Sequence, residues 1–133
     1  HKQSQVPVIL KICAADQPSP VEIASLKNEF HILKQLSSPY IVYAKDLIQD
    51  PFKPVIILED FGGISLQQYL NQQPTSIDVF FKIAFQILEA LKEVHQKNIV
   101  HKDINPDNIL IEPNTLSVKL ADFSISSQIS YQN

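Results

Sequence analysis

The chain carries only two glycines, and they are neighbours: Gly62 and Gly63 stand in the middle of 133 residues. Glycine alone enters left-handed backbone conformations without a steric penalty, so the sharpest change of chain direction is expected at this pair. Residues 59–63 therefore read as a hinge between two packed units.

In the first unit, Val6 to Ile12 (V-P-V-I-L-K-I) is an apolar, β-branched run with strand character, in which Lys11 is the one charge and needs a partner. Ser19-Pro20-Val21-Glu22 has capping-box spacing, with proline at the first helical position, so a helix is expected to start there. Its apolar positions Ile23, Leu26, Phe30 and Leu33 recur at helical spacing until Ser37-Ser38-Pro39. Glu29 falls beside that stripe. Tyr40 to Ile48 and Pro54 to Phe61 read as two antiparallel strands around a turn at Asp50-Pro51, which makes the order β-α-β-β.

Beyond the glycines, Ser65 to Asn71 suggests a short helix. Thr75-x-x-Asp78 repeats the capping signature before a long amphipathic helix with Ile77, Phe81, Ala84, Leu88, Leu91 and Val94 on its apolar face. Asn98 to Lys102, Asn108 to Glu112 and Val118 to Phe123 are short strand candidates, the last two forming a hairpin across Pro113-Asn114.

A hydrophobic content of 44% is enough for a packed core, and 11 basic against 14 acidic residues leave a net charge of −3. That balance gives no broad cationic surface for nucleic acid or an anionic bilayer, so no nucleic-acid partner is expected. The single cysteine, Cys13, reads as a small core residue and fits a reducing, cytoplasmic setting. No apolar stretch approaches the roughly 18 residues of a membrane span. His1 and the polar stretch from Ser124 to Asn133 read as the ends of an excerpt from a longer protein.

The segment His101-Lys102-Asp103-Ile104-Asn105-Pro106-Asp107-Asn108, followed further on by Ala121-Asp122-Phe123, resembles the catalytic loop H-R-D-L-x-x-x-N and the metal-binding D-F-G of protein kinases. Other landmarks stand in the order of that family. Lys11 resembles its third-strand lysine, Glu29 its helix-C glutamate, and Leu58-Glu59-Asp60-Phe61-Gly62-Gly63 its hinge. The wording L-E-D-F-G-G and H-K-D-I-N-P-D-N-I-L is similar to the kinase-like module heading large bacterial multidomain sensor histidine kinases. The fold implied is α+β and two-lobed but incomplete: residues 1–58 as part of the N-lobe without its Gly-rich loop, 59–63 as hinge, and 64–133 as part of the C-lobe.

The resemblance implies ATP and Mg²⁺ as cofactors, and a protein substrate or attached signalling domains as partners. Lys11 would hold the phosphates while paired with Glu29, and Asp103 would orient the attacking hydroxyl. Asn108 and Asp122 would ligate the metal. Leu58 and Leu110 would wall the adenine pocket, the backbone of Glu59 and Phe61 would bond the base, and Asp107 would also contribute to nucleotide binding. His101 and Phe123 are expected to pack with Leu33 rather than react. The chain departs from the pattern at Lys102 in place of arginine, at Asn105 in place of a basic residue and at Ser124 in place of the glycine of D-F-G. Two alternatives stay open: a nucleotide-sensing module without turnover, and a small-molecule kinase of the aminoglycoside type.

Overall fold

A computed structural model describes residues 6–130, so His1 and the last three residues of the polar tail lie outside the described residues. The chain forms an antiparallel three-stranded sheet, strand order β1-β3-β2, from β1 (Val8–Ile12), β2 (Ala44–Ile48) and β3 (Val55–Glu59). Helix α1 (Pro20–Leu33) connects the first two strands, as the β-α-β-β reading requires. Its start is the expected capping box: Ser19 Oγ accepts from the Glu22 N–H at 3.3 Å, and Glu22 Oε2 accepts from the Ser19 N–H at 2.8 Å.

Helix α1 stops at Leu33, short of the expected Ser37-Ser38-Pro39. The N–H groups of Gln35 and Leu36 bond to Ile32 and Leu33 in a tighter turn. Glu93, from a later helix, then accepts from the Ser37 N–H at 2.8 Å and the Ser38 N–H at 2.6 Å, supplying the partners that a further helical turn would have provided. The second strand is likewise shorter than expected. Tyr40 to Val42 leaves the first sheet to bond with Leu120 instead.

Past β3 the chain turns at the glycine pair. Gly62 adopts φ +76, which L side chains rarely adopt, and a Cβ at Gly63 would collide with the Phe61 ring. There follow β4 (Ile64–Ser65), α2 (Leu66–Gln72) capped by Ser65, and α3 (Ile77–Gln96). The cap of α3 is Ser76 rather than Thr75, since the Ser76 hydroxyl accepts from Val79 N–H. The remaining strands are β5 (Ile99–Val100), β6 (Ile109–Glu112), β7 (Ser117–Leu120) and β8 (Ser127–Gln128). Strands β4, β6 and β7 make a second sheet, and β8, which the polar tail did not announce, pairs with β5.

One core runs through both units, from Leu26, Leu33 and Ile56 to Val94, Ile111, Leu120 and Phe123. Helix α3 turns to it a face that matches the expected one only in part: Val94 is buried and Ala84 and Leu91 are half-buried, as the periodicity suggested. Ile83, Ala90 and Val94 are buried, whereas Ile77, Phe81 and Leu88 are more than 60% exposed. The helix is apolar on two sides, and packing against β5 and β7 selects one of them. Cys13 is half-buried at the rim of the core.

Candidate active site

Strand β1 pairs Lys11 with Ile56 of β3, which points the lysine at α1 rather than away from it. Its Nζ donates to Glu29 Oε1 at 2.9 Å and lies 2.8 Å from Oε2, so the ammonium straddles the carboxylate. Glu29 is 1% exposed, and its Oε1 also accepts from Phe123 N–H at 3.1 Å. The same Nζ donates to Asp122 Oδ1 at 3.0 Å. One cation thus joins β1, α1 and the segment after β7. Burial works against the charge on Lys11, but the charge and hydrogen bond of Glu29, followed by Asp122, outweigh it and raise its pKa. Burial also opposes ionisation of Asp122. Hydrogen bonds from Ser124 and Lys11, with the ammonium charge, overcome this and hold the carboxyl below its usual range.

The loop that carries Asp103 is built from its own side chains. His101 Nε2 lies 2.9 Å from the Ala121 carbonyl, and His101 Nδ1 accepts from Asp103 N–H at 3.2 Å, which puts the ring proton on Nε2. Lys102, between them, has φ +71, and Asp122 has φ +56. Left-handed backbone at residues other than glycine is costly and is kept where the surroundings enforce it. Asp103 Oδ2 accepts from Asn108 Nδ2 at 2.8 Å and Oδ1 from Asn105 Nδ2 at 2.9 Å. Asn108 opens the hairpin, and its carbonyl accepts from Ala121 N–H at 2.9 Å, which sets it next to Asp122 in the fold. The rings of His101 and Phe123 meet edge to face at 4.5 Å in the core that holds Leu33, as expected of packing residues.

Asp122 and Asn108 suit a hard divalent cation. Among the described residues Asp122 Oδ2 takes no hydrogen bond, and Asn108, its amide nitrogen spent on Asp103, keeps its carbonyl oxygen as an acceptor. Oxygen donors of this kind, few in number and supplemented by water and phosphate, are what Mg²⁺ takes. Leu58 and Leu110 are half-buried, one in each sheet. The Glu59 N–H is already bonded to the Tyr43 carbonyl at 3.0 Å, so it is not open to a ligand. Phe61 lies under Lys119, whose Nζ is 5.6 Å from the ring centroid. Asp107 is exposed on the 3-10 turn of Pro106–Asn108.

Several supporting residues had no signal in the sequence. Lys119 pairs with Glu59 at 2.6 Å, Ser25 Oγ donates to the Ser124 carbonyl at 2.6 Å, and Asn28 Nδ2 donates to the Ser126 carbonyl at 3.2 Å. Ser126, buried, donates from Oγ to the His101 carbonyl at 3.0 Å. A cavity of about 320 Å³, lined in part by Lys11, Cys13, Glu22, Ser25, Glu29 and Ser124, opens beside the ion pair.

The family model of the protein kinase domain matches residues 1–133. The chain belongs to the protein kinase domain family. This protein kinase chain is 32% identical over 111 residues to a probable serine/threonine-protein kinase PknB of Lactococcus lactis, covering 83% of the chain and 18% of that protein. It is 32% identical over 133 residues to the serine/threonine-protein kinase nekl-2 of Caenorhabditis elegans, covering 92% of the chain and 37% of the relative. With the serine/threonine-protein kinase Nek8 of Danio rerio it shares 35% over 124 residues, covering 90% and 18%. The kinase chain therefore spans between 18% and 37% of the length of these relatives. Among the described residues no helix is long and apolar enough to cross a membrane.

Proposed function

We propose that this chain supplies the phosphoryl-transfer centre of a Ser/Thr-type protein kinase that uses MgATP. The observation that carries the reading is the ammonium of Lys11 held between Glu29 and Asp122, with Phe123 linking that cluster to the loop of Asp103: its N–H donates to Glu29 and its ring packs on His101. A triphosphate needs a cation and a metal where Lys11, Asn108 and Asp122 stand, because its transfer spreads negative charge over the equatorial oxygens. Mg²⁺, when bound, neutralises that charge. Lys11 holds the α and β phosphates, with Glu29 fixing its ammonium. Asp103 accepts the hydrogen bond of the attacking hydroxyl and takes its proton late. Leu58 and Leu110 are the apolar walls for adenine, and Glu59, Phe61 and Asp107 belong to the nucleotide rim. Residues 1–58 serve as the N-lobe part, 59–63 as hinge and 64–133 as the C-lobe part.

The wording of the hinge and of the catalytic loop supports a finer placement, in the cytoplasmic Ser/Thr kinase-like module of bacterial multidomain sensor histidine kinases. Attached signalling domains or a protein substrate are then its partners. Incubation of the full-length protein with labelled ATP tests the function: phosphate is expected on Ser or Thr side chains, and Asp103→Asn should lose it. Equal transfer by the variant defeats the assignment. Asn105 and Ser124, which depart from the family pattern, favour a second reading, a nucleotide sensor in which MgATP raises the melting temperature without any turnover.

A further inference from the structure

Asn105 stands where the family pattern has a basic residue, and its side chain is used at both ends. Oδ1 accepts from the N–H of Asp107 at 2.9 Å and of Asn108 at 3.2 Å, capping the 3-10 turn. Nδ2 donates to Asp103 Oδ1 at 2.9 Å. Asn108, fixed by that same turn, holds the other carboxylate oxygen at 2.8 Å. Both oxygens of Asp103 are therefore gripped by amides whose positions depend on one cap. Each carboxylate oxygen has two lone pairs, so this grip leaves an acceptor site free on each for a hydroxyl.

Resting on the kinase reading above, we infer that Asn105 is a positioning residue for phosphoryl transfer: it fixes the carboxylate of Asp103 by a neutral hydrogen bond while tying it to the turn that presents Asn108. A basic side chain at this position would supply the donor but not the acceptor. An aspartate would supply the acceptor but not the donor. The two ends are separable by substitution, and this gives the inference its test.

The experiment measures kcat, KM for MgATP and melting temperature of the full-length protein, using a Ser/Thr peptide mixture that reports transfer by the wild type. Asn105→Asp keeps the cap and loses the grip, so kcat should fall about a hundredfold while KM changes by less than about threefold and the melting temperature stays close to that of the wild type. Asn105→Lys keeps a donor and loses the cap, so it should melt several degrees lower, as a lost cap of about 1 kcal/mol implies, with kcat within about tenfold of the wild type. Wild-type kcat in Asn105→Asp, or a fall of kcat in step with melting temperature in both variants, overturns the inference. A wild type that binds MgATP yet phosphorylates no peptide overturns the kinase reading itself.

Discussion

The Lys11 ammonium lies 2.8 Å from the buried Glu29 carboxylate, and that pair is the joint between the first sheet and helix α1. Asp122 approaches the same nitrogen from the far end of the chain at 3.0 Å. Removing the cation strands Glu29 at 1% exposure, with Phe123 N–H as its one remaining donor.

Lys11→Met should therefore destabilise the fold by about 3 kcal/mol, the usual cost of leaving one member of a buried pair alone. The double variant Lys11→Met, Glu29→Gln should recover part of that loss. Urea unfolding of the four proteins measures the coupling, and strictly additive losses would contradict it.

The charged groups predict the shape of the pH profile. The Lys11 pKa is raised above its ordinary 10.5, so its contribution is complete below that pH and disappears as pH rises through the higher folded value. The Asp122 pKa is lowered below its ordinary 3.8, so its contribution is complete above 3.8 and is lost as pH falls through the lower folded value. Glu22, held down by Ser19, and Glu112, held down by Thr115 and Asn114, act in the same direction below their ordinary 4.5. Melting temperature should fall at both ends, and fall less steeply in acid for Lys11→Met.

The two faces of α3 should respond differently to truncation. Ile83→Ala, at a buried position, should cost about 2–5 kcal/mol. Leu88→Ala, at a position 63% exposed, should cost under about 1 kcal/mol. Denaturant melts distinguish this from the helix orientation that the periodicity suggested, for which Leu88 would be the costly position.

Gln86 fastens the β6–β7 hairpin to α3, with Oε1 accepting from Val118 N–H at 2.9 Å and Nε2 donating to the Leu116 carbonyl at 2.9 Å. Gln86→Ala leaves both backbone groups unpaired and should cost about 1–3 kcal/mol. Hydrogen exchange should show faster opening at the Val118 amide, whereas exchange unchanged from the wild type would mean that the hairpin does not depend on this bridge.

Metal binding supplies a check on Asp122 and Asn108. Asp122→Asn should abolish the rise in melting temperature caused by Mg²⁺ with a non-hydrolysable ATP analogue, because it removes the negative charge and one of the two carboxylate oxygens, and Asn108→Ala should weaken it, because it removes a neutral oxygen donor for a hard cation. An undiminished rise in both variants would place the metal elsewhere.

What the sequence determined by itself was local. The cap at Ser19 and Glu22, the turn at Gly62 and the hairpin near Pro113 follow from chemistry confined to a few neighbouring residues, and each stands where the sequence put it. The family landmarks named the candidate site in the same way, since their spacing is a property of the chain. Tertiary structure decided the rest. It ended α1 early through Glu93, chose which apolar face of α3 is buried, and made a strand of Ser127–Gln128 by giving it β5 to pair with. It also recruited Lys119, Ser25 and Asn28 as supports. Such partners are as many as 99 residues apart in sequence, and no local propensity encodes which distant group will satisfy a buried charge or an open backbone amide.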